Sequence, residues 1–328
     1  MPDPTDQAFF GGLNMDKVIL GRSGIEVSKL CFGSLTIGPL QANFSEDKGA
    51  LVIAEAFKNG VNFIDTAELY QNYGHIKKAI EISGTNPVIS TKCYAYDKEG
   101  AEKSFEKARR ELNRDVIDVF SLHEQESEYT LKGHKEALDY FMEQKAKGYI
   151  RAIGISTHYV KCVQAMVDMD GIDIIHPLIN KKGIGICDGT PDEMLEAIRR
   201  AHANGKGIYS MKALGGGNLL GSYTDALDYI LQQECIDSVA VGMQSIEEVQ
   251  MNIEYFTQKK LCKEYSQTLE NKALHVDYWC EGCGKCVSRC GQGALSIVDG
   301  KAHVDRNKCV LCGYCASVCK DAFALKIY

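Results

Sequence analysis

Between residues 27 and 256, short apolar and β-branched runs alternate with amphipathic stretches of helical period. The runs are VSKLCFG (27–33), VNFIDTA (61–67), PVISTKC (87–93), VIDVFSLH (116–123), IRAIGIST (150–157), IDIIHPLIN (172–180), KGIYSMKAL (206–214) and SVAVGM (238–243). Between and after them, apolar positions repeat at helical spacing over 47–59, 75–83, 100–113, 131–147, 159–169, 191–204, 223–233 and 245–256. Continuous apolar runs suit parallel strands covered by helices on both faces. Eight strand–helix pairs in this length predict an α/β fold, a closed (β/α)8 TIM barrel. An open doubly wound sheet would give the same count, because a pattern of runs does not show closure. Ahead of the first run, MDKVILGRSGIEVSKL carries Gly21 and Gly24 between apolar stretches and predicts a hairpin over the barrel floor.

Residues 257–275 turn polar and charged, and the composition then changes abruptly to Cys and Gly. The expected division is an N-terminal extension (1–16), the barrel (17–256), a linker (257–275) and a small α+β module (276–328). Of 14 cysteines, six are scattered (Cys31, Cys93, Cys162, Cys187, Cys235, Cys262) and eight lie between Cys280 and Cys319. The scattered set reads as small buried hydrophobes of a reducing compartment. Cys93 adjoins Lys92, which could depress its pKa, but packing is the simpler reading.

The crowded set is an internal repeat. CEGCGKCVSRC (280–290) and CVLCGYCASVC (309–319) are displaced by 29 positions, each with the spacing C-x2-C-x2-C-x3-C. Thiolates so spaced suit metal ligation. Zinc is the alternative to iron–sulfur, although zinc sites use four ligands per ion in two CxxC knuckles rather than two tetracysteine runs. The repeat, about 275–328, resembles bacterial-type two-cluster ferredoxins. The resemblance implies two [4Fe-4S] clusters with the fourth cysteine of each run crossing over. One cluster would take Cys280, Cys283, Cys286 and Cys319; the other would take Cys309, Cys312, Cys315 and Cys290. The residue after each fourth cysteine departs from the usual Pro, being Gly291 and Lys320.

Charge and composition narrow the partners. Net charge is -7 with 45% hydrophobic residues, ordinary for a globular protein and unsuited to a nucleic-acid or acidic-membrane partner. No apolar run reaches the roughly 20 residues of a membrane span, and MPDPTDQAFFGGLN has no basic or apolar leader pattern, so a cytoplasmic location is expected.

Within the barrel region, Asp65, Lys92 and His123 close successive apolar runs, and Tyr70 follows Asp65 five residues later. Strand C-termini form the active-site face of such barrels, so these four converge on one mouth. Each alone also reads as an ordinary structural residue. Together they suit carbonyl reduction: Tyr supplies a proton, a Lys ammonium held by Asp lowers the phenol pKa, and His orients the carbonyl.

FIDTAELY, VISTK, SLHE, RAIGIST and MKALGGG, in this order, resemble the aldo-keto reductases over about 17–256. The resemblance implies Tyr70 as general acid/base, Asp65 and Lys92 as its tuning pair, and His123 as the orienting group. It implies an NAD(P)H site with Gly33 and Ser34 at its start. Ser156 and Thr157 would lie near the carboxamide, and Asn180 on the cofactor side. Met211, Lys212, Gly215 and Gly217 would run along the pyrophosphate, with Gly242, Gln244, Ser245, Glu248 and Asn252 around the adenosine end. Met211 falls where many members stack an aromatic ring. Glu248 falls where many carry a basic residue for the 2′-phosphate, so NADH is expected over NADPH. His134, His158 and His176 read as structural histidines.

The expected function is therefore an oxidoreductase reducing a small aldehyde or ketone, or oxidising the alcohol, with a redox partner protein at the cysteine-rich end. A second reading is a ferredoxin-linked electron-transfer protein whose barrel is a cofactor or partner scaffold. A third makes the clusters structural. Hydride transfer moves two electrons together and each cluster one, so the two systems do not couple without an intermediary.

Overall fold

The computed structural model describes residues 15–261, 272–319 and 324–327. The expected extension falls mostly outside the described residues, as does 262–271 of the expected linker.

Strands β1 (Lys17–Ile19) and β2 (Glu26–Ser28) form the antiparallel hairpin foreseen in the sequence. Its turn uses Gly21 and Gly24 in the left-handed region (φ 49° and 70°), and Arg22 N–H donates to the Gly205 carbonyl. The eight barrel strands are β3 (Leu30–Gly33), β4 (Phe63–Asp65), β5 (Val88–Cys93), β6 (Ile117–Leu122), β7 (Ile150–Thr157), β8 (Ile174–Pro177), β9 (Gly207–Ser210) and β10 (Ser238–Gly242). They pair in chain order, all parallel, and β10 returns to β3 to close the barrel. Closure removes the open-sheet alternative.

The helices that cover the strands are α1 (Glu46–Lys58), α2 (Tyr73–Ser83), α3 (Lys98–Leu112), α4 (Glu128–Gly133), α5 (Lys135–Ala146), α6 (Val160–Met166), α7 (Pro191–Ala203), α8 (Tyr223–Leu231) and α9 (Ile246–Gln258). Their starts follow local chemistry. Thr190 and Glu193 form a capping box ahead of α7 with Pro191 in its first turn, and Ser245 accepts from Glu248 N–H ahead of α9. The single helix expected over 131–147 is two, broken at His134.

Every residue of β5 is buried, because one face meets α-helices and the other the barrel interior. The interior is filled at its floor by Leu20, Ile25, Val27, Cys31, Phe63, Val119, Ile174 and Tyr209. Cys31, Cys93, Cys162 and Cys235 are buried, and burial raises all four thiols, Cys93 and Cys162 to about 12, as packing residues do. Cys187, in the loop before α7, is exposed, against the expectation, and Cys262 lies outside the described residues.

After α9 the described chain resumes in a small module. Strands β11 (Leu274–Val276) and β14 (Leu325–Ile327) pair antiparallel, as do β12 (Leu295–Val298) and β13 (Lys301–Val304), and a short helix α10 (Lys285–Arg289) precedes β12. Its small core mixes Leu274, Leu295 and Leu325 with Cys286 and Cys315. No helix among the described residues is long and apolar enough to cross a membrane.

Candidate active site at the barrel mouth

Strand register explains why Asp65 and Lys92 meet. Asp65 ends β4 opposite Ser90 of β5, and Lys92 lies two residues further on, so both side chains point into the barrel. Lys92 Nζ donates to Asp65 Oδ1 at 2.6 Å and to the Thr66 carbonyl at 2.6 Å. Tyr70 ends a 3-10 turn (Glu68–Tyr70), and Lys92 Nζ lies 5.3 Å from its ring centroid. His123 follows β6, its N–H bonded to the Cys93 carbonyl, and its ring stands edge-on to Tyr70 at 5.8 Å. The four expected residues therefore share one mouth.

Three neighbours were not expected at the site. Tyr209 donates to Asp65 Oδ1 at 2.8 Å, and its hydroxyl also bonds Ser90. His176, read above as structural, places Nε2 3.6 Å from the same oxygen and stacks on Tyr209 at 3.8 Å. Tyr94 stacks on His123 at 4.5 Å and donates to Glu124. Asp65 thus gathers a lysine, a phenol and an imidazole.

The electrostatics differ from the expectation in one respect. Burial first, then the Asp65 and Glu124 carboxylates, hold the Tyr70 phenol well above the ordinary tyrosine range. Lys92 does not offset this, since its ammonium is bonded to Asp65 and Thr66. Tyr70 is thus protonated at neutral pH, which suits a proton donor. Burial first, then Lys92 and neighbouring imidazoles, press His123 down to about 2, so its ring is neutral. His158 is pulled to about 4 by burial and Lys212, and His176 to about 4 chiefly by burial.

A groove runs from this mouth along the ends of β3, β9 and β10. Of the expected residues it is lined by Asp65 and Tyr70, and by Gly33, Met211, Lys212, Gly217, Gly242, Gln244, Glu248 and Asn252. Gly215, Gly216 and Gly217 all have positive φ (57°, 64° and 103°), and a Cβ on Gly216 would meet nothing within 4 Å, so bare backbone faces open space there. Glu248 accepts from Gln244 N–H and pairs with Lys272, which reaches the groove from beyond α9.

Other expected residues lie outside this lining. Ser34 accepts from Asn72 Nδ2, Ser156 from Glu124 N–H, and Thr157 from Tyr159 N–H. Asn180 is buried and holds the 182–184 turn through its side chain. Gly215 packs toward Ile184 and Leu219, and Ser245 caps α9.

In the C-terminal module, Cys280, Cys283, Cys286 and Cys319 line one cavity, and Cys290, Cys309, Cys312 and Cys315 line another. Backbone N–H groups of Ala302, Ala294 and Ala324 donate to the sulfurs of Cys280, Cys290 and Cys319 at 3.3–3.4 Å. Among the described residues, no three His, Cys, Asp or Glu side chains are gathered as a single-ion site.

Residues 29–226 match the aldo/keto reductase family. The chain belongs to that family. This aldo/keto reductase is similar to L-galactose dehydrogenase of Arabidopsis thaliana, at 25% identity over 73% of the chain and 87% of that protein. Its fold is similar to that of an aldo-keto reductase from Bacillus halodurans in holo form, with a TM-score of 0.63 at 22% identity, covering 78% of this chain and 96% of that one. Over 59 residues, 18% of the chain and 22% of the other, it is 34% identical to a component of the ion-translocating oxidoreductase complex of Methanosarcina acetivorans.

Proposed function

We propose that this aldo/keto reductase reduces a small aldehyde or ketone, or oxidises the corresponding alcohol, using NADH in the barrel groove. The observation that carries the reading is the buried Lys92–Asp65 pair set beneath Tyr70 and His123. A bound nicotinamide supplies the hydride. Tyr70 then gives its phenolic proton to the carbonyl oxygen as negative charge develops there. His123, neutral, stacked on Tyr94 and edge-on to Tyr70, holds that oxygen by a ring N–H. Asp65, itself met by Tyr209 and His176, and the Thr66 carbonyl hold Lys92 in place beneath the phenol. The bare backbone at Gly216 suits close approach of a pyrophosphate. Glu248 already holds Lys272, so a 2′-phosphate would have to compete for that cation, which favours NADH.

The module at 276–328 is read as a ferredoxin-like pair of [4Fe-4S] sites meeting a redox partner protein. Two cavities each lined by three cysteines of one run and the fourth of the other support it, as do N–H donors aimed at sulfur, which tune such clusters. Cys280, Cys283, Cys286 and Cys319 would hold one cluster; Cys290, Cys309, Cys312 and Cys315 would hold the other.

The test is anaerobic purification with iron and sulfide assay, followed by NADH oxidation against a panel of small carbonyls. About eight irons per chain and carbonyl-dependent NADH loss are expected. Zinc in place of iron would overturn the cluster reading. Iron with no carbonyl-dependent NADH loss would favour the electron-transfer reading, in which the barrel is a scaffold.

A further inference from the structure

The two halves of the cysteine repeat share left-handed backbone at matching positions but differ in their side chains. Gly282 and Leu311 occupy equivalent positions and both are left-handed, at φ 64° and 54°; Gly284 and Gly313 do the same at 75° and 78°. Glycine suits such a conformation, whereas leucine is strained by about 1–2 kcal/mol. The first half reads Glu281, Gly282 and Lys285 at the positions where the second reads Val310, Leu311 and Tyr314. Cys283 is exposed while its counterpart Cys312 is half-buried.

The barrel accounts for the difference. Leu311, Cys312, Tyr314 and Ile327 line both the barrel groove and the cavity of the second cysteine set. The cavity of the first set shares no lining residue with the groove. Gly217 is pressed against this wall: a Cβ there would collide with the Val310 carbonyl oxygen. Arg289 lies 5.1 Å from the Tyr314 ring centroid and braces it from the module side. A strained leucine and a tyrosine thus replace a glycine and a lysine on the side that meets the cofactor groove.

We propose that the loop from Cys309 to Cys315 is a wall of the dinucleotide site, and that the redox centre it carries responds to what the groove holds. This rests on the cluster reading above. An anionic nucleotide in the groove displaces water beside Cys312 and adds negative charge. Both effects disfavour the more negative, reduced centre. By reciprocity, the reduced protein binds that nucleotide more weakly. The first set, with Cys283 exposed, is left to face a partner.

The experiment is a redox titration of the iron-loaded full-length protein followed by electron paramagnetic resonance, with and without ADP-ribose, which carries no hydride. The two signals are assigned with Cys283→Ser and Cys312→Ser. The expected result is about tenfold weaker ADP-ribose binding to the reduced protein, a fall of about 59 mV in one potential only. That potential is the one altered by Cys312→Ser. Gly217→Ala keeps all eight thiols but displaces the wall, so the shift should shrink while both signals persist. Loaded protein in which neither potential moves, both move equally, or the Cys283 centre moves alone overturns the inference. Protein that takes up no iron overturns the underlying reading, and the inference with it.

Discussion

Lys92 and Asp65 meet at 2.6 Å with side chains only 1% and 7% exposed. A pair this deeply buried is costly to break from one side, because the remaining charge has no water to turn to. Lys92→Met or Asp65→Asn should each destabilise the chain by about 3–5 kcal/mol in denaturant unfolding. The double substitution should recover much of that loss without restoring turnover. Single variants as stable as the parent would show that the pair is not held as described.

The proposed chemistry concentrates at Tyr70. Tyr70→Phe keeps the ring that meets His123 and removes only the hydroxyl. Turnover should fall about 100- to 10,000-fold, while nucleotide binding by fluorescence quenching stays within a few-fold. Because burial, Asp65 and Glu124 keep the phenol protonated, carbonyl reduction should hold its rate across neutral and mildly alkaline pH. A decline centred near pH 8 would mean a depressed phenol instead.

Three imidazoles tie stability to pH. His123 sits near 2 in the folded chain, and His158 and His176 near 4, while unfolded histidines take up protons near pH 6.5. Their contribution is complete above pH 6.5 and is lost as pH falls toward 4. Each removes about 1.4 kcal/mol per pH unit across that window. Thermal unfolding should therefore show Tm dropping steeply between pH 6 and 4.5, with a shallower slope in His176→Gln. An identical slope in that variant would count against the assignment.

In the proposed reading, coenzyme choice turns on Glu248. Glu248→Gln frees Lys272 and removes one negative charge from the groove. The ratio of kcat/KM for NADPH to that for NADH should rise about tenfold, the effect of about 1.4 kcal/mol at a partly buried charged hydrogen bond. An unchanged ratio would place the 2′-position elsewhere.

Much of the fold was legible because its signals are local. Runs such as VISTK and VFSLH are apolar enough to specify buried strands, and the polar residue at the end of each marks the active face. The cysteine repeat needed only spacing. What was not legible depends on closure. Tyr209 and His176 reach Asp65 from strands on the far side of the barrel, and nothing in IDIIHP or GIYS announces that convergence. Lys272 meets Glu248 from beyond α9, a separation that no local pattern spans. Thr157 and Asn180 are bonded to backbone two to four residues on, a local competition that motif order does not reveal, and Ser156 accepts from Glu124 N–H at the barrel mouth.

The most direct test of the central claim follows the hydrogen itself. NADH deuterated on the transferring face of the nicotinamide would be supplied with a carbonyl substrate under anaerobic conditions, and the alcohol analysed by mass spectrometry. Direct hydride transfer at Tyr70 predicts one deuterium on the carbinol carbon, whatever the iron content. An alcohol whose carbinol hydrogen comes from water would contradict the account, since electrons would then reach the carbonyl singly through the cysteine-rich module.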